Sequence, residues 1–144
     1  MKRRLLSAFL AVMMVLTMAP VAFAADTSVD SYDSLVEAIN NAADGATITL
    51  SGDIDVQQTL VVTKKLTLNL AEHKLYNTKD LWDVPTDNNW SLISVRENGD
   101  LTITGNGTLE AKEDDCYAVD IQDADAKVTI ENGTFIGNIT AVYV

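Results

Sequence analysis

The 144-residue sequence predicts an all-β fold, a parallel β-helix whose short strands wind into stacked rungs behind one capping α-helix. Three observations carry that expectation. The apolar period changes once, from 3.6 to 2 after Asp44-Gly45, and stays at 2 to the end of the sequence. The strand-like runs that follow are short and close together. No helical stretch separates them, which excludes a doubly wound α/β sheet. The third observation is an internal repeat. Leu101-Thr-Ile-Thr-Gly-Asn-Gly-Thr-Leu109 matches Val128-Thr-Ile-Glu-Asn-Gly-Thr-Phe135 with one residue deleted.

Residues 1–24 read as a secretory signal peptide. Lys2, Arg3 and Arg4 are its charged head, Leu5 to Met18 its apolar stretch, and Ala22-Phe23-Ala24 its small-residue cleavage site. The apolar stretch is too short for a permanent span, and no later segment is apolar enough for one. Removing this leader takes away three basic residues and no acidic one, so the net charge falls from −11 to −14. A field of that sign repels phosphate and excludes nucleic acid as a default partner. The one cysteine, Cys116, excludes an internal disulfide framework. Two adjacent carboxylates, Asp114 and Asp115, raise rather than lower its thiol pKa, so it reads as a small apolar residue.

Residues 25–33 are polar and aperiodic and read as a flexible lead. Residues 34–45 read as the capping helix. Leu35, Ala38, Ile39 and Ala42 share one face, Ser34 and Glu37 have capping-box spacing, and Gly45 suits a left-handed C-terminal cap. Residues 46–144 then supply strands at Ala46–Leu50, Thr59–Val62, Lys65–Leu70, Lys74–Asn77, Ser91–Val95, Asp100–Thr104, Thr108–Ala111, Tyr117–Gln122, Lys127–Glu131, Thr134–Gly137 and Thr140–Val144.

The repeat sorts these strands into threes. Leu66-Thr-Leu-Asn-Leu70 followed by Lys74-Leu-Tyr76 is an earlier, looser copy. Its greater spacing falls in one loop, Thr78 to Asn89. Three strands per repeat, with insertions confined to turns, describe three to four rungs stacked at strand spacing. Thr67, Thr102 and Thr129 have the opposite parity to the apolar positions and form an outward ladder. The helix is placed to plug the open N-terminal end of the column. At the other end, Thr140-Ala-Val-Tyr-Val144 is an apolar strand with no polar cap after it. It predicts either further rungs or pairing with a second copy.

Ser31 to Asp53, with the rungs Leu101–Leu109 and Val128–Phe135, resembles the N-terminal cap and first coils of right-handed parallel β-helix proteins of the pectate-lyase-like class. The resemblance implies a right-handed coil in an exported protein, secreted or on a bacterial cell surface. That class includes polysaccharide lyases, glycoside hydrolases, tailspikes and adhesins. Its lyases place calcium on a strand face beside a basic residue. No such constellation carries over. The outward positions here are threonine, Asn69, Thr104 and Glu131, and the one arginine past the leader, Arg96, reads as a turn residue paired with Glu97.

Two groups of residues remain as site candidates. The insertion Thr78 to Trp90 holds both tryptophans. Sugars present C–H faces to indole and hydroxyls to Asp and Asn, so Trp82, Trp90, Asp83, Asp87, Asn88 and Asn89 suit a shallow glycan site. The competing reading has both indoles folded onto the solenoid wall. The acidic residues Asp114, Asp115 and Asp120 suit a divalent cation, calcium being the one such oxygen ligands take. His73, the only histidine, has no triad or zinc partners at motif spacing and reads as a turn residue. The Asn-Gly-Thr runs at Asn106 and Asn132 match a glycosylation pattern, but they are the turns of the repeat, where glycine supplies positive φ. Two functions stay open. One is a non-catalytic surface or adhesin-like domain with a glycan partner; the other is the N-terminal portion of a polysaccharide lyase or glycoside hydrolase. An outward ladder of carboxylates on one sheet would favour the enzyme, and a plain Thr/Asn face the structural module.

Overall fold

The structure, a computed structural model, describes residues 26–82, 87–137 and 140–144. The leader 1–24 lies outside the described residues. The chain is mostly β, with parallel strands and a single short helix, as an all-β parallel solenoid requires. A strand β1 (Thr27–Val29) precedes helix α1 (Tyr32–Asn41). Then come β2 (Ala46–Leu50), β3 (Ile54–Asp55), β4 (Leu60–Val62), β5 (Lys65–Asn69), β6 (Lys74–Tyr76) and β7 (Ser91–Val95). The series ends with β8 (Asp100–Thr104), β9 (Thr108–Glu110), β10 (Tyr117–Ile121), β11 (Lys127–Ile130), β12 (Thr134–Ile136) and β13 (Val142–Tyr143).

From β2 onward every third strand pairs, always in parallel. One sheet runs β1-β2-β5-β8-β11, a second β3-β6-β9-β12, and a third β4-β7-β10-β13. The chain therefore visits three sheets in fixed order, four times among the described residues. Register turns this into columns. Ala46, Leu66, Leu101 and Val128 stand in line, as do Ile48, Leu68, Ile103 and Ile130. The second sheet adds Ile54, Leu75, Leu109 and Phe135, and the third adds Leu60, Ile93, Val119 and Val142. The column residues of the first three rungs are buried in one hydrophobic core, Val128 and Phe135 of the last rung pack against it, and Ile130 stays exposed. The predicted threonine ladder is present and one rung longer, running Thr47, Thr67, Thr102, Thr129.

The N-terminal region differs from the sequence expectation in four ways. The polar lead holds a strand, β1, that pairs with β2 and buries Val29 against the core; one apolar residue in a short polar run gives no period to detect. The helix begins at Tyr32, and its capping box joins Ser31 to Ser34, not Ser34 to Glu37. Ser31 Oγ accepts from the Ser34 N–H, and Ser34 Oγ accepts from the Ser31 N–H at 3.2 Å. Gly45 is left-handed (φ +83°) but sits in the turn into β2. The C-cap is Ala42 in an extended conformation, and the Lys64 ammonium takes the orphan carbonyls of Asn40 (2.9 Å) and Ala42 (3.3 Å). Finally, β3 is a strand the sequence does not signal, because its two residues become a strand only by pairing with β6. Leu35 and Ile39 are buried in the core, as the plug requires.

At the far end the stack is open. Ile130 is 43% exposed and Val144 86% exposed, and β11, β12 and β13 each lie at the edge of a sheet. Among the described residues no helix is long and apolar enough to cross a membrane.

Candidate functional site

The turn after β9 organises the site. Asn77, at the end of β6, accepts the Lys112 N–H on its Oδ1 (2.7 Å) and donates from Nδ2 to the Lys79 carbonyl (2.7 Å) and to Asp115 (2.8 Å). Asp115 is buried, and its carboxylate also accepts the backbone N–H groups of Leu81 (2.8 Å) and Trp82 (3.1 Å). An irregular segment entering an insertion has backbone donors with no strand partner, and this carboxylate satisfies them. Leu81 is thereby buried while Trp82 stays 47% exposed.

The return of the insertion is held by other side chains. Asp120, with no exposed surface, accepts from Trp90 Nε1 (2.9 Å) and from the Ser91 hydroxyl. Arg96 donates to Ser94 Oγ (2.8 Å), to the Asp87 and Asn88 carbonyls and to Asn89 Oδ1 (2.9 Å). Arg96 is therefore not the surface partner of Glu97 that its neighbourhood in the sequence predicts. Its Nε is held by Ser94 on β7, and Nη1 and Nη2 are directed at acceptors of the loop. Gln122 adds a bond to the Asn88 carbonyl.

These anchors set up an aromatic row. The rings of Trp82 and Trp90 lie 6.2 Å apart and those of Trp82 and Tyr117 5.8 Å apart, edge to face. Tyr117 stacks on Tyr143 at 5.1 Å with planes 5° apart. Trp82 and Tyr143, each 47% exposed, are its accessible members. Beside Trp82 opens a cavity of about 380 Å3 lined by Asp80, Trp82, Asp114 and Asp115. The next groove, about 540 Å3, runs past Tyr76, Glu110, Lys112 and Glu113. Lys112 is ion-paired with Asp80, and that hydrogen-bonded carboxylate holds its ammonium above the usual lysine pKa.

The predicted glycan residues thus divide. Trp82 and Trp90 come together. Trp90 is pinned to the wall by Asp120, and Trp82 is left accessible. Asp87, Asn88 and Asn89 gather where Arg96 grips the loop, and Asp83 lies outside the described residues. Tyr117, Tyr143 and Asp80 were not among the sequence candidates. The repeat offers one signal, since aligning Val119 with Val142 brings Tyr143 onto the strand edge beside β10.

Asp114, Asp115 and Asp120 do three separate jobs. Asp115 and Asp120 spend their oxygens on N–H and O–H donors, and exposed Asp114 has left-handed backbone (φ +59°). Calcium requires six to eight oxygens, and these residues do not fit that cage. Among the described residues no three His, Cys, Asp or Glu side chains are arranged to hold a metal ion. His73 lies between β5 and β6 with Nδ1 3.6 Å from Asp53, in the turn the sequence predicts.

Cys116 is buried. Desolvation first, and the Asp115 carboxylate second, push its thiol well above the usual range. The thiol form is the one the fold holds. Its contribution to stability is full below the ordinary thiol pKa of 9.0 and declines as pH rises beyond it. At pH 8 a disulfide reagent is expected to label Cys116 only as fast as the chain unfolds. Rapid labelling of the native protein would contradict this burial.

No family model, curated protein or solved structure matches the chain.

Proposed function

We propose that the chain is a secreted or cell-surface domain, a right-handed parallel β-helix of the pectate-lyase-like kind. On this reading it is adhesin-like and non-catalytic, and it binds glycans on the face built by the Thr78–Trp90 insertion. The observation that carries the reading is the row Trp82, Trp90, Tyr117, Tyr143, with an indole held half-exposed above a shallow cavity by the bond from its own backbone N–H to Asp115. An apolar ring fixed at a polar rim suits the alternating C–H and hydroxyl surface of a sugar. The first sheet supports the non-catalytic choice. Its outward registers are Lys65-Asp100-Lys127, Thr47-Thr67-Thr102-Thr129 and Thr49-Asn69-Thr104, so the one carboxylate among them, Asp100, stands between lysines and makes no ladder. The open edges of β11, β12 and β13 suit further coils or a second copy, the remaining partners expected of such a domain.

The test is a titration of the full mature chain with a panel of neutral and charged oligosaccharides, read by tryptophan fluorescence. At least one sugar is expected to give a saturable change. Trp82→Ala is expected to weaken that binding about tenfold, in line with the loss of an aromatic stacking surface. A panel with no saturable response would end the reading.

A further inference from the structure

We propose that the Trp82 face takes neutral and amino glycans, whose hydroxyl or ammonium groups donate hydrogen bonds, and turns away uronates. The inference rests on the glycan-binding reading above and names the class of sugar. Three of the four residues lining the cavity beside Trp82 are carboxylates: Asp80, Asp114 and Asp115. Glu110 and Glu113 continue the same sign into the adjoining groove. Two of the ammonium groups along this face already have partners, and Lys79, beside Asp80, is exposed and does not line the cavity. Lys112 is paired with Asp80, and Lys74 with Glu110 at 2.6 Å. Asp114 and Glu113 therefore stand in excess, inside the field of a chain whose net charge is −11.

The carboxylates also differ in what they offer. Asp115 is committed to the N–H groups of Leu81 and Trp82 and to Asn77, so it acts as a fixed charge. Asp80 and Asp114 are exposed and present oxygens to the cavity mouth. An ionised carboxylate accepts and never donates, so a sugar sitting on Trp82 must bring the donors. Neutral sugars bring hydroxyls. Amino sugars bring an ammonium, and Lys112 on Asp80 is the chain's own instance of that contact. A uronate brings a second anion against Asp114, with no cation among the residues lining the Trp82 cavity to receive it.

Three hexasaccharides decide the matter, titrated into the full mature chain at low and at high salt: a neutral glucan, a glucosamine oligomer and a galacturonate oligomer. The glucosamine oligomer is expected to bind at least as tightly as the neutral one. The galacturonate oligomer is expected to bind about tenfold more weakly at low salt, and to gain affinity as salt screens the repulsion. Asp114→Asn keeps a side chain that tolerates left-handed backbone, so the fold is preserved. It is expected to raise galacturonate affinity about threefold while leaving the neutral sugar nearly unchanged. Galacturonate binding as tight as the neutral sugar at low salt, or an unchanged ratio in Asp114→Asn, overturns the charge selection and leaves glycan binding standing. Glucosamine binding that survives Trp82→Ala also overturns it, since that marks only a general attraction between polycation and polyanion. Silence from all three sugars removes the underlying reading as well.

Discussion

Asp115→Ala is expected to destabilise the chain by about 3–5 kcal/mol, the cost of stranding several buried donors that one charged acceptor now satisfies. The Asp115 carboxylate accepts from the Leu81 N–H, the Trp82 N–H and Asn77 Nδ2, and it is 5% exposed. Alanine leaves both backbone N–H groups without a partner and Asn77 Nδ2 with only its bond to the Lys79 carbonyl. The cavity it opens is small and close to solvent, so water can repair part of the loss, which sets the lower bound. The effect also spreads locally, because Asn77 holds the Lys112 N–H and Leu81 is part of the core. Urea unfolding should show the midpoint shift, and the emission of Trp82 should move to the red even in native conditions. A loss below about 1 kcal/mol would mean the insertion is not tied down by this carboxylate. Asp115→Asn separates charge from shape. It keeps one acceptor but turns an NH2 toward N–H donors, so it should recover only part of the loss.

The contrast between Asp115 and Leu101 explains what a linear reading of this chain can see. Leu101 belongs to the column because alternation along β8 marks it, and the repeat aligns it with Leu66 and Val128. Both signals are local or periodic, so the rungs from β5 onward, their order and the outward threonines are readable in advance, while β3 of the first rung is not. Asp115 sits in an acidic turn that reads as solvated surface or cation ligand. Its real partners lie 33 to 38 residues earlier in the chain, where Trp82, Leu81 and Asn77 meet it only after the coil has gone round once. One further turn of the coil likewise hides the Tyr117–Tyr143 stack, while the grip of Arg96 on Asp87, Asn88 and Asn89 is close in sequence but follows no period. The lead and the helix start fail for a different reason. There the deciding bonds are made by two serines and by one strand edge, each too short to carry a period. The candidate site is thus legible only as a list of side-chain types, of which Trp82 and Trp90 lie together in the fold. Its anchoring is a property of stacked rungs, which no single stretch of sequence contains.

Gly107→Ala is expected to cost about 4 kcal/mol or more, well beyond an ordinary surface substitution. In the sequence Gly107 looks like Gly133, each following asparagine at the same point of the repeat. The two differ in backbone. Gly133 has φ +113°, whereas in the earlier copy the left-handed residue is Gly105, at φ +86°. Gly107 is needed for space instead. A Cβ there would run into the His73 carbonyl oxygen and lie 2.7 Å from Leu70 Cβ and 3.0 Å from the Leu70 carbonyl oxygen. The obstacles are mostly main chain, so no rotamer change relieves them. The turn must move away from the preceding rung, and the bonds from Thr108 N–H to the His73 carbonyl (3.0 Å) and from Asn106 N–H to the Ala71 carbonyl (2.6 Å) stretch with it. Gly45→Ala is the internal control. Its φ of +83° imposes a conformational cost of about 1–2 kcal/mol, but the space around it is empty within 4 Å. Urea midpoints for the two variants should therefore separate clearly, with Gly107→Ala far lower. Equal midpoints would mean that the rungs at this turn can slide apart freely, and that close stacking of successive coils is not what fixes this corner of the solenoid.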